Sequence, residues 1–284
     1  MTKEHNETAL DSETAAKESA RERARRLGRH HVILTPGVVR GFISVIVFFI
    51  IWHLGANSEI PGVRLIPSPF EVINHFVVHY FGSAEYWENW FSSFVRVFNG
   101  FIIAQFVGIP LGIMFGLHRR FREIVYPIFE ILRPVPPLAW VPLSILFWPT
   151  NESSIVFITF LGAFFVIVIN VYEAIRHIPD QYLWLASSLG AKPRHTFFSI
   201  IVPAVIPSIA AGMTLGIALT WEVVIAAEMI SSDTGLGRLT WEGYVSSTPA
   251  VVVIGMISIG LAGYVSTQIV AAAEKRMMPW TRDR

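Results

Sequence analysis

The 284-residue chain contains no cysteine. Disulfides, thiol nucleophiles and cysteine-ligated metals are therefore excluded, while the redox compartment is left open. Charge is also scarce. Asp, Glu, Lys and Arg make up 15% of the residues and the net charge is +1, where a soluble domain carries about 25% charged residues. So even a balance removes the basic field that nucleic-acid binding requires. The scarcity is also local: residues 153–172, 203–221 and 243–273 contain no Asp, Glu, Lys, Arg or His. Each run is close to or beyond the roughly 20 residues that cross about 30 Å of hydrocarbon. None alternates in segments of about ten residues, as a β-barrel would. The composition defines an all-α, polytopic membrane protein. A cleaved signal peptide is not expected, because the first residues are polar and no apolar core with a small-residue cleavage site follows them.

Six spans are expected, at about 39–57, 91–117, 125–147, 153–172, 206–230 and 248–272. Residues 1–37 read as a charged tail, partly helical, with acids early and Arg21, Arg23, Arg25, Arg26 and Arg29 late. That order suits the helix dipole, and the same arginines could instead face lipid headgroups. Residues 38–90 hold the first span and an amphipathic connection, and 91–280 form the core. Lys and Arg near span ends set the orientation. With the N-terminus in the cytoplasm, Arg119, Arg120, Arg122, Arg176, Lys192, Arg194, Lys275, Arg276, Arg282 and Arg284 fall inside, and only Arg64 and Arg238 fall outside. Both termini are thus expected in the cytoplasm.

The cytoplasmic connection at about 174–205 is longer than a turn requires. Within it, "WLASSLGAKPRHTFFSIIVP" occupies 184–203. Asp180 is a candidate N-cap and residues 181–190 supply about two helical turns. Gly190 permits the positive φ that ends a helix. Pro203 and Pro207 stand where a span begins and a missing N–H costs least. Ala186, Ser187, Ser188, Gly190 and Ala191 are expected to form a small-residue surface that a second protein can approach closely.

This stretch resembles the EAA loop of permease subunits of ATP-binding-cassette importers, a pattern of Glu-Ala-Ala, three residues, Gly, nine residues and Ile-x-Leu-Pro. Gly190, Ile200 and Pro203 fall at that spacing, Val202 stands for the Leu and Ala186 for the second Ala. Trp184 and Leu185 depart from the Glu and the first Ala. With "LRPVPPLAWVPLSILFW" and "AAEMISSDTGLGRL", the chain resembles the nitrate, sulfonate, taurine and bicarbonate permease subfamily over most of 60–280. The resemblance implies a type I importer permease fold with a core permease domain at 91–280. It also implies a homodimer in the inner membrane of a bacterium and a loop that docks on a separate ATPase subunit. A periplasmic or lipid-anchored binding protein would deliver a small anion. ATP and Mg would belong to the partner, since no Gly-x-x-x-x-Gly-Lys-Ser/Thr occurs in this sequence. No cofactor, metal or catalytic residue of its own is expected, and the chain is not read as an enzyme.

Ionisable residues inside spans are costly and mark functional candidates. Arg96 reads as a snorkelling residue near a span end. Glu130 and Arg133 share a helix face and can pair. Arg133 is also the candidate to attract an anion, beside prolines 134, 136, 137 and 142 that free backbone carbonyls. Trp140 reads as a packing or path residue. Glu222 is expected to meet a basic or hydroxyl group of another span, and Glu228 to make a helix-end or gate contact. Gly235 and Gly237 read as a turn. Gly255, Gly260 and Gly263 allow close approach of the last span. His75 and His79, at i,i+4, have zinc-like spacing on what reads as a solvated surface. The rival from another class is an ion-coupled transporter or channel using the buried acids, which paired broken spans and inverted repeats would favour.

Overall fold

The computed structural model describes residues 36–58 and 65–278. The charged tail with its Arg cluster, Arg64, and the terminal Arg282 and Arg284 lie outside the described residues. The chain divides into two compact units, Met1–Arg64 and Leu65–Arg284. In the first, α1 (Pro36–Ala56) contains an apolar window, Val39–Ala56, with no residue buried inside the chain. Its outward side chains include Phe42, Ile46, Phe49 and Ile50, which suits a helix solvated by lipid.

The second unit is built from α2 (Pro69–His75), α3 (Ala84–Leu117), α4 (Arg119–Leu132), α5 (Val141–Phe147), α6 (Asn151–Arg176), α7 (Asp180–Ser188), α8 (Pro193–Thr196), α9 (Val202–Ser231), α10 (Leu236–Val245) and α11 (Pro249–Met277). Among the described residues all regular structure is helical. That follows from the solvent: hydrocarbon offers backbone groups no hydrogen bonds, and a helix satisfies them within itself. Five helices are long and apolar enough to cross a membrane, and the bent pair α4/α5 raises the number to as many as six.

The expected straight span at 125–147 is instead broken. α4 stops at Leu132, a 3₁₀ turn covers Pro137–Trp140, and α5 continues at 88° to α4. Prolines 134, 136 and 137 supply no N–H and disfavour helix at the residue before each of them, so the ladder cannot continue. Other boundaries moved outward. α3 starts at Ala84 rather than 91, capped by Ser83, whose hydroxyl accepts from the Tyr86 N–H at 3.4 Å. At 1.5 Å per residue it is about 51 Å long, well beyond the hydrocarbon thickness.

α6 is the central helix, packed on α3 along one side and on α9 along another. Residues at every fourth position of α3, namely Gly100, Ala104, Gly108, Gly112 and Gly116, are small. A Cβ on Gly100 would strike Thr159 of α6, and one on Gly112 would lie 2.8 Å from the Val168 carbonyl oxygen. One on Gly116 would lie 2.7 Å from Ile175. The two helices therefore run in the same direction with their backbones nearly touching, the geometry that small residues permit between spans. The regular close stripe belongs to α3; in the last span the expected close approach holds at Gly255, where a Cβ would strike Thr240, and a Cβ on Gly263 would touch Trp221, whereas Gly260 meets nothing within 4 Å. α9 runs antiparallel to α6, with Gly212 against Asn170 and Gly216 against Ala163. An aromatic cluster of Phe115, Phe129, Phe165 and Tyr172 joins α3, α4 and α6 at the end where α6 finishes.

Replacing Gly112 by Val should lower the stability of the detergent-solubilised protein by about 1–3 kcal/mol, the usual cost of overpacking. Gly41→Ala in α1, where a Cβ meets nothing within 4 Å, should change it by less than about 0.5 kcal/mol. Thermal unfolding followed by size-exclusion chromatography checks both. Equal stability of the two variants would contradict the close α3–α6 approach.

Candidate functional site

Three sets of polar or exposed residues stand out from the bundle. The first is the segment between α6 and α9. α6 ends at Arg176, and the His177 ring lies 2.7 Å from the Glu173 carbonyl oxygen through Nδ1. Pro179, not Asp180, occupies the cap position of α7, and Asp180 sits in the first turn, where its charge still suits the dipole. The other end closes as expected. Gly190 has φ +72°, its N–H donates to Ser187 O, and the Ala191 N–H donates to Ala186 O, each at 3.0 Å. This is the paired-bond closure that a left-handed glycine makes. Ser187 and Ser188 turn their hydroxyls back onto the Trp184 carbonyl at 2.8 and 2.9 Å.

The side chains that leave this helix are large and apolar: Trp184, Leu185 and Leu189 are 68%, 60% and 78% exposed. Ala186 faces inward and is buried, so it does not belong to an outer small-residue surface. Ala191 is half-buried, Ile200 lines a cleft of about 430 Å³ with Glu173, His177 and Tyr182, and Pro203 is exposed at the start of α9. Arg119, Arg120, Arg122, Arg176, Lys192, Arg194, Lys275 and Arg276 gather at this same end of the bundle. The helix directions place them there, with Gly116 against Ile175 and the Thr214 hydroxyl donating to Glu274 at 2.5 Å.

The second set lines a cavity of about 470 Å³ at the break between α4 and α5. Its wall is apolar, including Pro136, Pro137, Leu138, Phe165 and Leu219, and its charged members are Arg133 and Glu222. Glu130 lies 3.6 Å from Arg133, and both side chains remain about half exposed. Glu222 is exposed and has no hydrogen bond or ion pair among the described residues, so the expected partner from another span is not there. Trp140 turns away from the cavity and packs on the aromatic cluster, its indole nitrogen buried without a partner.

The third set was not legible as a set. Arg96 is not a snorkelling residue: it is 2% exposed. Its five N–H donors are all taken. Nε donates to Glu152 Oε2 at 2.8 Å and Nη2 to Glu152 Oε1. Nη1 donates to Glu228 Oε1 at 2.8 Å and to the Thr234 carbonyl at 2.7 Å, and Nη2 also reaches Thr234 Oγ1 at 3.0 Å. Glu228, fully buried, further accepts from Ser93 Oγ at 2.8 Å and from the Gly237 N–H at 2.9 Å. Asn89 accepts from the Gly235 N–H at 2.7 Å, and Ser93 from the Leu236 N–H at 2.9 Å. Gly235 has φ +121°, and a Cβ there would collide with the Glu228 carboxylate. Residues 232–237 are thereby a structured hairpin between α9 and α10, tied to α3 and α9 directly and to α6 only through Arg96. The polar face Asn89, Ser93, Arg96 on an otherwise apolar helix is the signal that could have revealed this cluster.

The predicted path residues thus divide. Arg133 and Glu222 share the cavity, with Glu130 beside Arg133, whereas Trp140 and Glu228 serve packing and the ionic cluster. Among the described residues no group of three metal-ligating side chains occurs, and the His75 and His79 rings lie 4.6 Å apart, tilted at 48° to each other.

A bundle of five or six membrane-length apolar helices, one of them broken, with a helix exposing Trp184, Leu185 and Leu189 at its basic end, defines a polytopic membrane protein. Residues 108–279 match the family of binding-protein-dependent transport system inner membrane components, and the chain belongs to that family. It is 38% identical over 82% of its length to a putative ABC transporter permease protein of Methanocaldococcus jannaschii, covering 88% of that protein. It is 31% identical over 87% of its length to a nitrate import permease protein of Synechocystis sp., covering 92% of it. It is 30% identical over 83% of its length to a bicarbonate transport system permease protein of Synechococcus elongatus, covering 87% of it. In fold it is similar to a chain of the MetNI methionine ABC transporter in an inward-facing conformation, with a TM-score of 0.50, 22% identity, and 66% of this chain and 93% of that chain covered. The protein is a multi-pass inner-membrane permease subunit.

Arg96→Met leaves the buried Glu228 carboxylate without its cation and should cost about 3–5 kcal/mol. Arg96→Met combined with Glu228→Gln removes the unpaired charge and should recover part of that loss, a non-additivity expected of groups in one network. Thermal unfolding of the single and double variants in detergent measures it. A double variant no more stable than Arg96→Met would contradict a direct charge pair.

Proposed function

We propose that this permease subunit imports a small solute bearing an oxyanion group, of the nitrate, sulfonate/taurine or bicarbonate class, at the expense of ATP hydrolysed by a separate subunit. The observation that carries the reading is α7: a short helix closed by Gly190, whose Trp184, Leu185 and Leu189 project without cover among the described residues. Exposed apolar anchors on a rigid helix are how a helix is received by a groove on another protein. The ATPase subunit is the natural owner of that groove, because closing it would move α6 and α9 through their joint with α7.

In this reading six spans cross the membrane and both termini lie in the cytoplasm. The clustering of basic residues at the α7 end supports that orientation through the preference of Lys and Arg for the cytoplasmic side. A second copy of the chain covers the cavity at the α4/α5 break. A binding protein, periplasmic or lipid-anchored, meets the opposite end, near the hairpin at 232–237. Among the described residues Arg133 is the only cation lining the cavity, and it is placed to draw in a solute's acid group. The nitrate and bicarbonate permeases among the relatives support a small oxyanion. The ion-coupled alternative finds less support, because Glu228 is locked to Arg96 and, among the described residues, no chain of acids links it to Glu222.

Gly190→Val should abolish transport, since a β-branched residue resists the positive φ, while assembly in the membrane is kept. Leu185→Asp should remove the ATPase subunit from the complex isolated in mild detergent. Co-purification with an ATP hydrolysis assay reads both. A chain that isolates alone and moves solute without ATP would reject the importer reading.

A further inference from the structure

The ionic cluster around Arg96 does not balance. Arg96 supplies one positive charge, and Glu152 and Glu228 supply two negative ones. Glu228 is met only by donors, namely Arg96, the Ser93 hydroxyl and the Gly237 N–H, which suits a carboxylate and leaves no acceptor for an acid proton. Arg238, past the hairpin, is taken up by Glu242 at 2.8 Å. Glu228 is sealed, whereas the Glu152 side chain is 63% exposed, so the excess negative charge is presented at Glu152.

Glu152 stands at one end of a furrow of about 570 Å³ between α3, α6 and Trp148. Ser153 is beside it, and the rest of the lining, including Ile103, Val107 and Phe157, is apolar or aromatic. Gly100 faces Thr159 and Gly116 faces Ile175 across the seam, so Glu152 is level with about residue 93 of α3. At 1.5 Å per residue the polar end lies about 20 Å from Val107 along the helix axes, more than half of the roughly 30 Å of hydrocarbon. One polar end, at the start of the charge-free run 153–172, and a long apolar remainder at span depth match the build of a lipid. The furrow and the α4/α5 cavity use different stripes of α6. Glu152, Val156 and Phe160 line the furrow, and Leu161, Phe165 and Ile169 line the cavity. At 3.6 residues per turn these stripes lie on opposite sides of the helix. A second copy seated on the cavity therefore leaves the furrow open to the bilayer.

We infer that this furrow holds one phospholipid with a primary ammonium headgroup, its ammonium on Glu152 and an acyl chain along Ile103, Val107 and Phe160. The headgroup is then the missing counter-charge of the Arg96 cluster. An anionic headgroup brings a second negative charge to the same place and is disfavoured, so the site separates ethanolamine lipids from glycerol lipids by charge.

The test uses the full chain with the subunits that isolate with it in mild detergent. Phosphatidylethanolamine and phosphatidylglycerol of the same acyl chains are titrated in, and native mass spectrometry reads the lipid retained. The expected result is one ethanolamine lipid per copy of this chain, held at concentrations about tenfold lower than the glycerol lipid, the scale of one charge-assisted hydrogen bond. Ser153→Lys supplies a cation in place without touching the bonds between Glu152 and Arg96, and should erase the preference. Val107→Trp fills the apolar end from a half-exposed position and should weaken retention of the ethanolamine lipid about tenfold. Equal retention of the two lipids by the unaltered chain, or unaltered behaviour of either variant, overturns the inference. Benzoylphenylalanine introduced at Val107 and irradiated in native membranes should add the mass of an ethanolamine lipid to its peptide. A crosslink to another peptide of this chain, to a second copy or to another subunit would make the occupant a protein and overturn the inference also.

Discussion

Arg96 is the point on which one end of the bundle depends. A guanidinium is permanently charged and carries five donors in a plane. Leaving it in hydrocarbon is prohibitive, so every donor has to be met. Here they are met by α6 through Glu152, by α9 through Glu228 and by the hairpin through Thr234. One side chain of α3 thus fixes three neighbours at once. Removing a partner would strand a buried charge, which is why such networks are all-or-none: fully satisfied they specify a single arrangement, and half satisfied they are worse than apolar packing.

The same three helices are held along their length by a different force. α3 and α6 have no hydrophobic effect to press them together where lipid is as apolar as they are, so close dispersion contact must do it. The small residues at 100, 104, 108, 112 and 116 let the backbones approach, and Thr159, Ile167, Val171 and Ile175 fill the seam. Polar ties at one end and a continuous steric seam below it make α3, α6 and α9 one rigid body. The broken α4/α5 pair joins that body through the aromatic cluster of Phe115, Phe129 and Phe165, and α7 stands at its edge on its glycine closure.

How much of this was legible follows from the range of each interaction. The charge-free runs marked the spans because span length and composition are local properties. Gly190 marked the end of α7 because a left-handed closure is a matter of a few bonds. The break at 133–137 was half legible: the prolines announced a weakened helix, but the 88° turn depends on what α4 and α5 pack against. The ionic cluster was not legible, since Arg96 and Glu228 are 132 residues apart and only the pairing of helix ends joins them. Arg96 alone is indistinguishable from a snorkelling arginine. Its polar neighbours Asn89 and Ser93, on the same face, were the missed clue. The glycines of the last span drew the expectation of close packing, which Gly255 meets against Thr240, whereas the α3 stripe, regular at every fourth residue, drew none.

These pieces imply a division of labour along the membrane normal. A rigid body locked by Arg96 cannot open by parting its own helices at that end, because each step would expose Glu228 or an unsatisfied guanidinium. Any opening there has to occur between this body and something else, with the lock intact. At the other end nothing comparable among the described residues holds α7. Its contacts to the bundle are the buried Ala186 and the cleft with Ile200 and Tyr182, while its anchors point away. A force applied to Trp184, Leu185 and Leu189 is therefore transmitted through the short joints at 177–179 and 190–192 into α6 and α9. These helices also carry Leu219, Glu222 and Phe165 of the cavity wall. If α7 is the docking helix proposed above, the stiffness that Arg96 and the glycine stripe confer would let a displacement at the α7 end reach the cavity as a rotation of the whole body rather than be absorbed by bending within it.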